Sequence, residues 1–438
     1  MTHHENALRF LFETQFEDLP TSVQDQMLLN ILDLVGNGIG GTTFEASNII
    51  RAVTQRQYGG PHPMIHDGRL ASAAGVALAY GTSIDALDGH DGFNPAKGHI
   101  GCAVLAGVLA TALETGLTDG QAFLTAIAIG YEFGARLAIA LHDSAPDYHT
   151  SGAWAAIAVA ALSSRMMGLS HQQTRHAMGI AEYNGPRSQM MRCIDHPTMV
   201  KDGSGWGAMV GVMAAQMAQD GFTGAPALTF EKELTPWADL GERWYGLEQY
   251  YKPYPVCRWA QAPIEAILDL KRRHDLRSQD VKSLRVDTFH ESVRLATTTP
   301  QKTDEAQYST SFPCAVALVK GDVRAQDIAD GALNDPEIMR LSQAMDMHEH
   351  PDANAVFPHI RKARVEVTLY NGSTLTSKWH TPRWDAVTPP TLSQLHEKFD
   401  KTVIPLWGNT QTDALKEAIY GLKAGNFADF KRLMTRRA

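Results

Sequence analysis

A succession of apolar segments with helical character, rich in alanine and glycine, is the feature that most limits what this chain can fold into. The segments lie between about residues 6 and 267, where few residues alternate with period two. Helices that are apolar on nearly every side must be buried against one another. The clearest segments are 28–35, 71–80, 100–113, 122–141, 154–167 and 205–218. The sequence therefore predicts a large all-helical domain over residues 1–270.

The periodicity changes near residue 283. Residues 283–289 alternate as a half-buried strand would, and Val365, Val367 and Leu369 alternate before the turn sequence 370–373. These patterns predict a strand and a two-stranded hairpin with a type I′ turn, separated by helical stretches such as 336–345. Residues 271–390 are therefore predicted to form a smaller α+β lid domain. Residues 391–438 return to helical periodicity and are expected to pack on the first domain, which makes the fold mainly α.

Composition and charge limit the binding partners and the cellular location expected for this protein. The formal net charge is -9, which argues against nucleic acid or an anionic membrane as the main partner. The cysteines are scattered without a CxxC pair, as expected in a reducing cytoplasm. The N-terminus has no basic region followed by an apolar core, and segment 100–113 is too short to cross a bilayer. A cytoplasmic protein without a membrane partner is expected.

The sequence contains no motif that demands a cofactor or a metal. The glycine-rich run 36–41 resembles a nucleotide-binding loop, but it follows a helical pattern rather than a strand. A helix C-cap and turn is the predicted structure there. His62, His66, His90 and His99 lack the spacing of a zinc site. We therefore predict neither a cofactor nor a metal.

The loop at residues 87–101 is unusually dense in titratable side chains. It places Asp88, His90, Asp91, Lys97 and His99 in a glycine-rich break between two apolar segments. Such groups must be paired, solvated or take part in chemistry. His99, flanked closely by glycine, can approach a ligand and transfer a proton, with Asp88 or Asp91 orienting it. The plainer alternative is a pair of hydrogen-bonded loop histidines and a solvated lysine.

Two further segments carry candidate binding residues. Lys201 lies in a turn-rich loop before a buried helix, where its ammonium can donate to an anion or simply face water. Segment 252–258 is punctuated by proline and has the character of a hinge or a cleft wall. Cys257 within it is expected to be a buried thiol rather than a nucleophile, because no neighbouring feature lowers its pKa.

Short motifs in a fixed order cover nearly the whole chain. They are segments 32–41, 88–99, 130–137, 149–152, 166–170, 198–201, 221–226, 254–257 and 307–309. Together they resemble the MmgE/PrpD family, which includes 2-methylcitrate dehydratase, cis-aconitate decarboxylase and iminodisuccinate epimerase. The resemblance implies a helical domain, a smaller α+β lid, a cleft between them, no required cofactor and a homodimer.

The resemblance also implies an active site. The family's catalytic carboxylate, histidine and lysine fall on Asp88, His99 and Lys201 of this chain. The loop has Asp-Gly-His-Asp-Gly where relatives are more acidic, so His90 is a candidate for a second acid or base.

The chain departs from the family pattern at two other positions. Relatives carry a histidine shortly after the Tyr-Pro pair, where this chain offers Cys257, Trp259 and Gln261. An aromatic hydroxyl of some relatives corresponds to Phe312. The resemblance therefore does not define one substrate.

The leading hypothesis is a cofactor-independent lyase that abstracts a proton α to a carboxylate of a small di- or tricarboxylate. Dehydration or decarboxylation would follow. In this hypothesis His99 transfers the proton, Asp88 sets the orientation and pKa of His99, and Lys201 and Arg258 bind carboxylates. The predicted substrate-binding set is completed by Asp91, Lys97, Lys252, Cys257, Gln261 and Tyr308. The alternatives are an isomerase or epimerase on the same scaffold, and a non-catalytic polycarboxylate-binding homologue.

Overall fold

The computed structural model describes residues 2–232 and 235–436, so residues 1, 233, 234, 437 and 438 of the predicted ranges lie outside it. The helices of the first half are α1 (His3–Glu13), α2 (Thr21–Gly41), α3 (Glu45–Gln57), α4 (Ala73–Leu87), α5 (Gly101–Thr115), α6 (Gly120–Ser144), α7 (Gly152–Met166), α8 (His171–Asn184), α9 (Met191–Asp195), α10 (Ser204–Gln219) and α11 (Leu228–Glu231). Those of the second half are α12 (Gln261–His274), α13 (His290–Val293), α14 (Thr303–Gln307), α15 (Ser311–Lys320), α16 (Pro336–Gln343), α17 (Pro351–Asn354), α18 (Leu392–Gly421) and α19 (Ala428–Met434). The strands are β1 (His62–Pro63), β2 (Leu70–Ala71), β3 (Val281–Thr288), β4 (Met345–Glu349), β5 (Arg364–Leu369) and β6 (Thr374–Thr376).

The helices of the first half pack around one large apolar core. Helix α7 lies at its centre, buried on every side from Gly152 to Ser164, against α5, α6, α8 and α10. Alanine dominates its surface, so neighbouring helices approach closely and bury apolar area on all faces. The predicted mainly α fold is confirmed.

The glycine-rich run 36–41 is a helix, not the predicted C-cap and turn. Helix α2 continues to Gly41 and crosses α4 at very close range. A Cβ at Gly41 would lie 1.7 Å from the Ser83 carbonyl oxygen, and a Cβ at Gly38 would lie 2.7 Å from the Tyr80 ring. The glycines therefore serve helix packing, a role that local sequence signals do not distinguish from helix termination.

The second half contains a four-stranded sheet in the order β4-β3-β5-β6. Strand β3 pairs antiparallel with β5, and β5 pairs antiparallel with β6 through the predicted hairpin. Among the residues of its turn only Gly372 has a positive φ, 85°, so the turn is not the expected type I′. Strand β4, which pairs parallel with β3, was not predicted because its side chains are mostly polar and half-exposed.

A second apolar core joins this sheet to α12 and α15. It starts at Tyr254, before the predicted lid boundary at residue 271, and includes α12. Helix α18 packs on α2 and contributes Phe399 and Val403 to the first core. The limits 1–270, 271–390 and 391–438 stay a prediction.

Helix α6 is long and apolar enough to cross a membrane by length and composition alone. However, 94% of its most apolar window is buried inside the protein. Its apolar surface therefore contacts other helices, as in the core helix of a soluble protein. The cytoplasmic location stays a prediction.

Gly41→Ala tests the close crossing of α2 and α4. The added methyl overlaps a backbone carbonyl that cannot rotate away, so the free energy of unfolding should fall by about 3 kcal/mol. Chemical denaturation measures the change. Gly59→Ala is the matched control, because nothing lies within 4 Å of its added Cβ. Equal effects of the two substitutions would contradict the packing role.

Candidate active site

A small cavity of about 30 Å³ lies where loop 87–101 meets the second half of the chain. Helical-body residues form one wall and residues from 250 onward form the other. The lining residues are Asp88, Lys97, His99, Tyr148, Met190, Ile194, Asp202, Tyr250, Cys257, Arg258, Trp259, Tyr308 and Arg361. Six of the predicted site residues are among them: Asp88, Lys97, His99, Cys257, Arg258 and Tyr308.

Asp88 is fixed at the end of α4 by a buried ion pair. It caps the helix in the left-handed region, with φ 54°. Lys252 Nζ lies 2.6 Å from Asp88 Oδ1 and donates a second hydrogen bond of 2.7 Å to the Asp88 carbonyl. Burial alone raises the pKa of Asp88, but Lys252, Lys201 and His99 outweigh it and hold the pKa below its ordinary value. Asp88 is therefore an anion at neutral pH.

A second lysine supports the same loop from behind. Lys398 on α18 donates a 2.5 Å hydrogen bond to the Gly89 carbonyl and pairs with the buried Asp33 of α2. The backbone at Asp88 and Gly89 is thus held both by Lys252, which precedes α12, and by Lys398 on α18. No local sequence pattern predicts this contact, because the residues are distant along the chain.

His99 presents a free ring nitrogen to the cavity. Its Nδ1 lies 2.6 Å from the Asp91 carbonyl oxygen, an acceptor, so Nδ1 carries the proton of the neutral ring. Burial, aided by His90 and Lys252, lowers the pKa of His99 to about 4. The imidazole is neutral at pH 7, and the Nε2 lone pair is available as a base.

Asp202 completes this side of the cavity, and the sequence analysis missed it. Its Oδ2 lies 3.9 Å from His99 Nε2. The Ser151 hydroxyl donates to Asp202 Oδ2 over 2.5 Å, and the Ser151 N–H donates to Oδ1 over 2.9 Å. Burial raises the pKa of Asp202 despite the nearby His99. Its position directly after Lys201, in the same turn-rich loop, was the available signal.

His90 and Asp91 lie behind His99 and do not line the cavity. The His90 ring contacts the His99 ring with centroids 4.4 Å apart, and its Nε2 lies 3.4 Å from Asp85 Oδ1. Burial lowers the pKa of His90 to about 3. The Asp91 side chain accepts a 2.5 Å hydrogen bond from Tyr131, and burial raises its pKa to about 7. Both residues therefore contact His99 rather than the cavity.

Lys201, Lys252 and Gln261 also lie outside the cavity lining. Lys201 Nζ hydrogen-bonds Gln307, lies 3.1 Å from Asp304 Oδ1 and sits 5.2 Å from the centroid of the Tyr308 ring. Gln261 donates to the backbone carbonyls of residues 254 and 256, so it shapes the proline-rich segment. The two lysines act on the site through their charge, by lowering the pKa of Asp88.

Three cations line the cavity. The Arg258 guanidinium stacks 3.9 Å from the Tyr250 ring centroid, and Lys97 Nζ lies 5.2 Å from the centroid of Tyr148. Arg361, which the sequence analysis missed, donates to Asn94 Oδ1 over 2.8 Å. In the described part of the chain, neither Lys97 nor Arg361 forms an ion pair. The cavity wall therefore offers two uncompensated positive charges.

Cys257, one of the three residues that follow the Tyr-Pro pair and were considered for an acid–base role, lines the cavity. Burial raises the pKa of its thiol to about 12, so the thiol is neutral. It can fill space or donate weakly, but it cannot replace an imidazole in proton transfer at neutral pH. Its predicted character as a buried thiol matches this geometry.

Within the described residues, Asp85, His90 and Cys102 form a buried group whose ligand atoms all lie within 4.8 Å of one another. Cys102 Sγ donates to the Gly81 carbonyl, and Asp85 accepts the Ser204 N–H over 3.2 Å. These contacts satisfy Cys102 and one oxygen of Asp85, whereas His90 Nε2 is buried 3.4 Å from Asp85 Oδ1 without a hydrogen-bond partner among the described residues.

The helical body and the α+β half share a cavity that is lined by acid, base and cationic groups. This arrangement is the architecture of an enzyme. The chain belongs to the MmgE/PrpD family: residues 6–237 match the MmgE/PrpD N-terminal domain and residues 254–422 match the C-terminal domain.

Curated relatives span most of the chain. It is 23% identical over 414 residues to a cis-aconitate decarboxylase of Aspergillus terreus, covering 84% of this chain and 82% of that protein. It is 24% identical over 402 residues to a human cis-aconitate decarboxylase, covering 84% of this chain and 81% of the relative. A cis-aconitate decarboxylase-like protein of Aspergillus oryzae is 22% identical and covers 96% of this chain and 94% of that protein.

Lys252→Met tests the buried pair. The substitution keeps an unbranched apolar side chain but leaves Asp88 charged, buried and without its lysine, so the free energy of unfolding should fall by about 3–5 kcal/mol. Chemical denaturation at neutral pH measures it. Lys302→Met is the control, since that exposed lysine pairs only at the surface and should change stability by less than about 1 kcal/mol. Similar losses in both variants would contradict the assignment.

Proposed function

We propose that this protein is a cofactor-independent lyase that acts on a small polycarboxylate by proton transfer at the carbon next to a carboxylate. The observation that carries the proposal is the neutral His99 Nε2 in a cavity with two uncompensated cations, Lys97 and Arg361. A base and anion-binding groups around one cavity are what α-proton chemistry needs. The names of the relatives, decarboxylases of cis-aconitate, support a carboxylate substrate.

The chemistry follows from the positions of the side chains. In a dehydration, His99 Nε2 removes the α proton, and the cations stabilise the negative charge that spreads onto the substrate carboxylate. The carbon–oxygen bond to the β-hydroxyl then breaks, and the imidazolium returns the proton to that hydroxyl, which leaves as water. In a decarboxylation, the bond to the leaving carboxylate breaks, and neutral His99 relays a proton from water to the carbanion, while the remaining hydroxide combines with carbon dioxide as bicarbonate. Asp202 stabilises the imidazolium in both cases, and Ser151 fixes the orientation of Asp202.

An isomerase or epimerase is the second candidate, and one observation favours it. Asp88 Oδ2 is buried without a hydrogen-bond partner among the described groups, and Asp88 lines the same cavity as His99. Two acid–base groups around one substrate carbon are what reprotonation on the opposite face requires. Incubation of candidate substrates in deuterated water separates the reactions: an unsaturated or decarboxylated product supports a lyase, and a deuterated stereoisomer supports an epimerase.

The homodimer is also a proposal. On the outer face of α10, Trp206 is 46% exposed and Met213 is 38% exposed. Large apolar side chains exposed on one helix face favour a contact between copies through the helical body.

The non-catalytic alternative rests on the neutral thiol of Cys257 and predicts binding of polycarboxylates without turnover.

His99→Gln tests the base. Glutamine keeps a donor for the Asp91 carbonyl but has no basic nitrogen, so kcat should fall by about 10²–10⁴-fold while the melting temperature changes little. Steady-state kinetics and thermal unfolding measure the two effects. His290→Gln, on an exposed histidine of the lid, should retain full activity. Near wild-type turnover by the His99 variant on the true substrate would rule out its role.

The pH profile tests the protonation state of His99. Activity should fall only when the base is protonated, and burial places that pKa at about 4 instead of the ordinary value of about 6.5. The ratio kcat/KM should therefore stay level from about pH 8 to about pH 5.5 and decline below that. Circular dichroism at each pH confirms folding. An acid limb centred near pH 6.5 would contradict the neutral imidazole.

A further inference from the structure

We infer that Asp385 is a specificity-determining residue that cancels the charge of Arg258 and so suits the cavity to a dicarboxylate rather than a tricarboxylate. The inference rests on the proposed function, because it assumes that the cavity binds a polycarboxylate. It assigns Asp385 a role at the substrate although the residue itself is not part of the cavity lining.

The first support is the set of contacts around Arg258. Arg258 Nη2 lies 2.5 Å from Asp385 Oδ2, and its side chain is only 5% exposed. Its Nη1 donates to backbone carbonyls of residues 251 and 383 at the long distance of 3.4 Å. The strong partner of this buried guanidinium is therefore a carboxylate of the protein itself, held behind the cavity wall.

Asp385 is also held in place from another side. Asn94, in loop 87–101, donates through Nδ2 to both oxygens of Asp385 at 3.1 and 3.2 Å. The same Asn94 accepts from Arg361 through Oδ1. The carboxylate is thus fixed between the loop and Arg258, and the amide links it to a second cavity cation.

The charges around the cavity then sum to a small positive value. Lys252 neutralises Asp88, and Asp385 neutralises Arg258. In the described structure Lys97 and Arg361 stay without an acidic partner, which is enough for two substrate carboxylates. A third carboxylate would find the charge of Arg258 already neutralised by Asp385. It would also lie near Asp88 or Asp202, both of which line the cavity.

Asp385→Asn tests the inference, because it removes the charge and keeps an oxygen that accepts from Arg258. The probes are propane-1,3-dicarboxylate and propane-1,2,3-tricarboxylate, which differ by one carboxylate, with Kd measured by calorimetry. The wild type should bind the dicarboxylate more tightly, and the variant should shift the ratio of the two affinities towards the tricarboxylate by about tenfold or more. Asp280→Asn, which breaks an exposed ion pair of the same half, should leave the ratio unchanged.

The outcomes separate this inference from the proposed function. A wild type that binds neither probe and turns over no carboxylate overturns the proposed function. A wild type that prefers the tricarboxylate, or an Asp385→Asn protein with the wild-type ratio, overturns only the role of Asp385. Asp385→Ser is measured in parallel, and circular dichroism establishes that each variant is folded. If neither variant folds, a wild type that prefers the tricarboxylate still overturns the inference.

Discussion

The buried ion pair between Asp88 and Lys252 is the interaction on which the geometry of the site depends. It joins the end of α4 in the helical body to the segment that leads into the second half of the chain. Removing two charges from water costs several kcal/mol each, and only close, well-directed contacts offset that cost. Lys252 provides them by binding both the carboxylate and the carbonyl of the same residue. The pair therefore fixes where loop 87–101, which carries His99, starts.

Residues outside the cavity matter as much as those that line it. Lys201 and Lys252 lower the pKa of Asp88 without reaching the cavity, and His90 helps to keep His99 neutral. The side chains of the candidate site thus fall into an inner group that can touch a substrate and an outer group that sets its charge. The sequence motifs contain residues of both groups, and only the positions of the side chains in the structure distinguish the two.

Much of the fold and part of the site could be predicted from the sequence. Buried apolar helices and the change of period near residue 283 are local patterns, and they define the mainly α architecture. The dense loop 87–101 identified Asp88 and His99 for the same reason. The prediction of a turn at residues 36–41 was wrong because glycine is favoured both where helices cross closely and where a helix ends. Asp202, Arg361 and Asn94 were missed because their meaning lies in contacts between distant segments, as between Asn94 and Asp385.

The hydrogen bond from Lys398 to the Gly89 carbonyl has a consequence for the order in which the molecule is completed. A ribosome makes the chain from its N-terminus, and early segments begin to fold while later ones are still unmade. The helical body can collect most of its core from residues 2–232, but the loop that bears Asp88 and His99 lacks this support until α18 has left the ribosome. Assembly of the site therefore belongs to the last stage of biosynthesis, when nearly all of the chain is available.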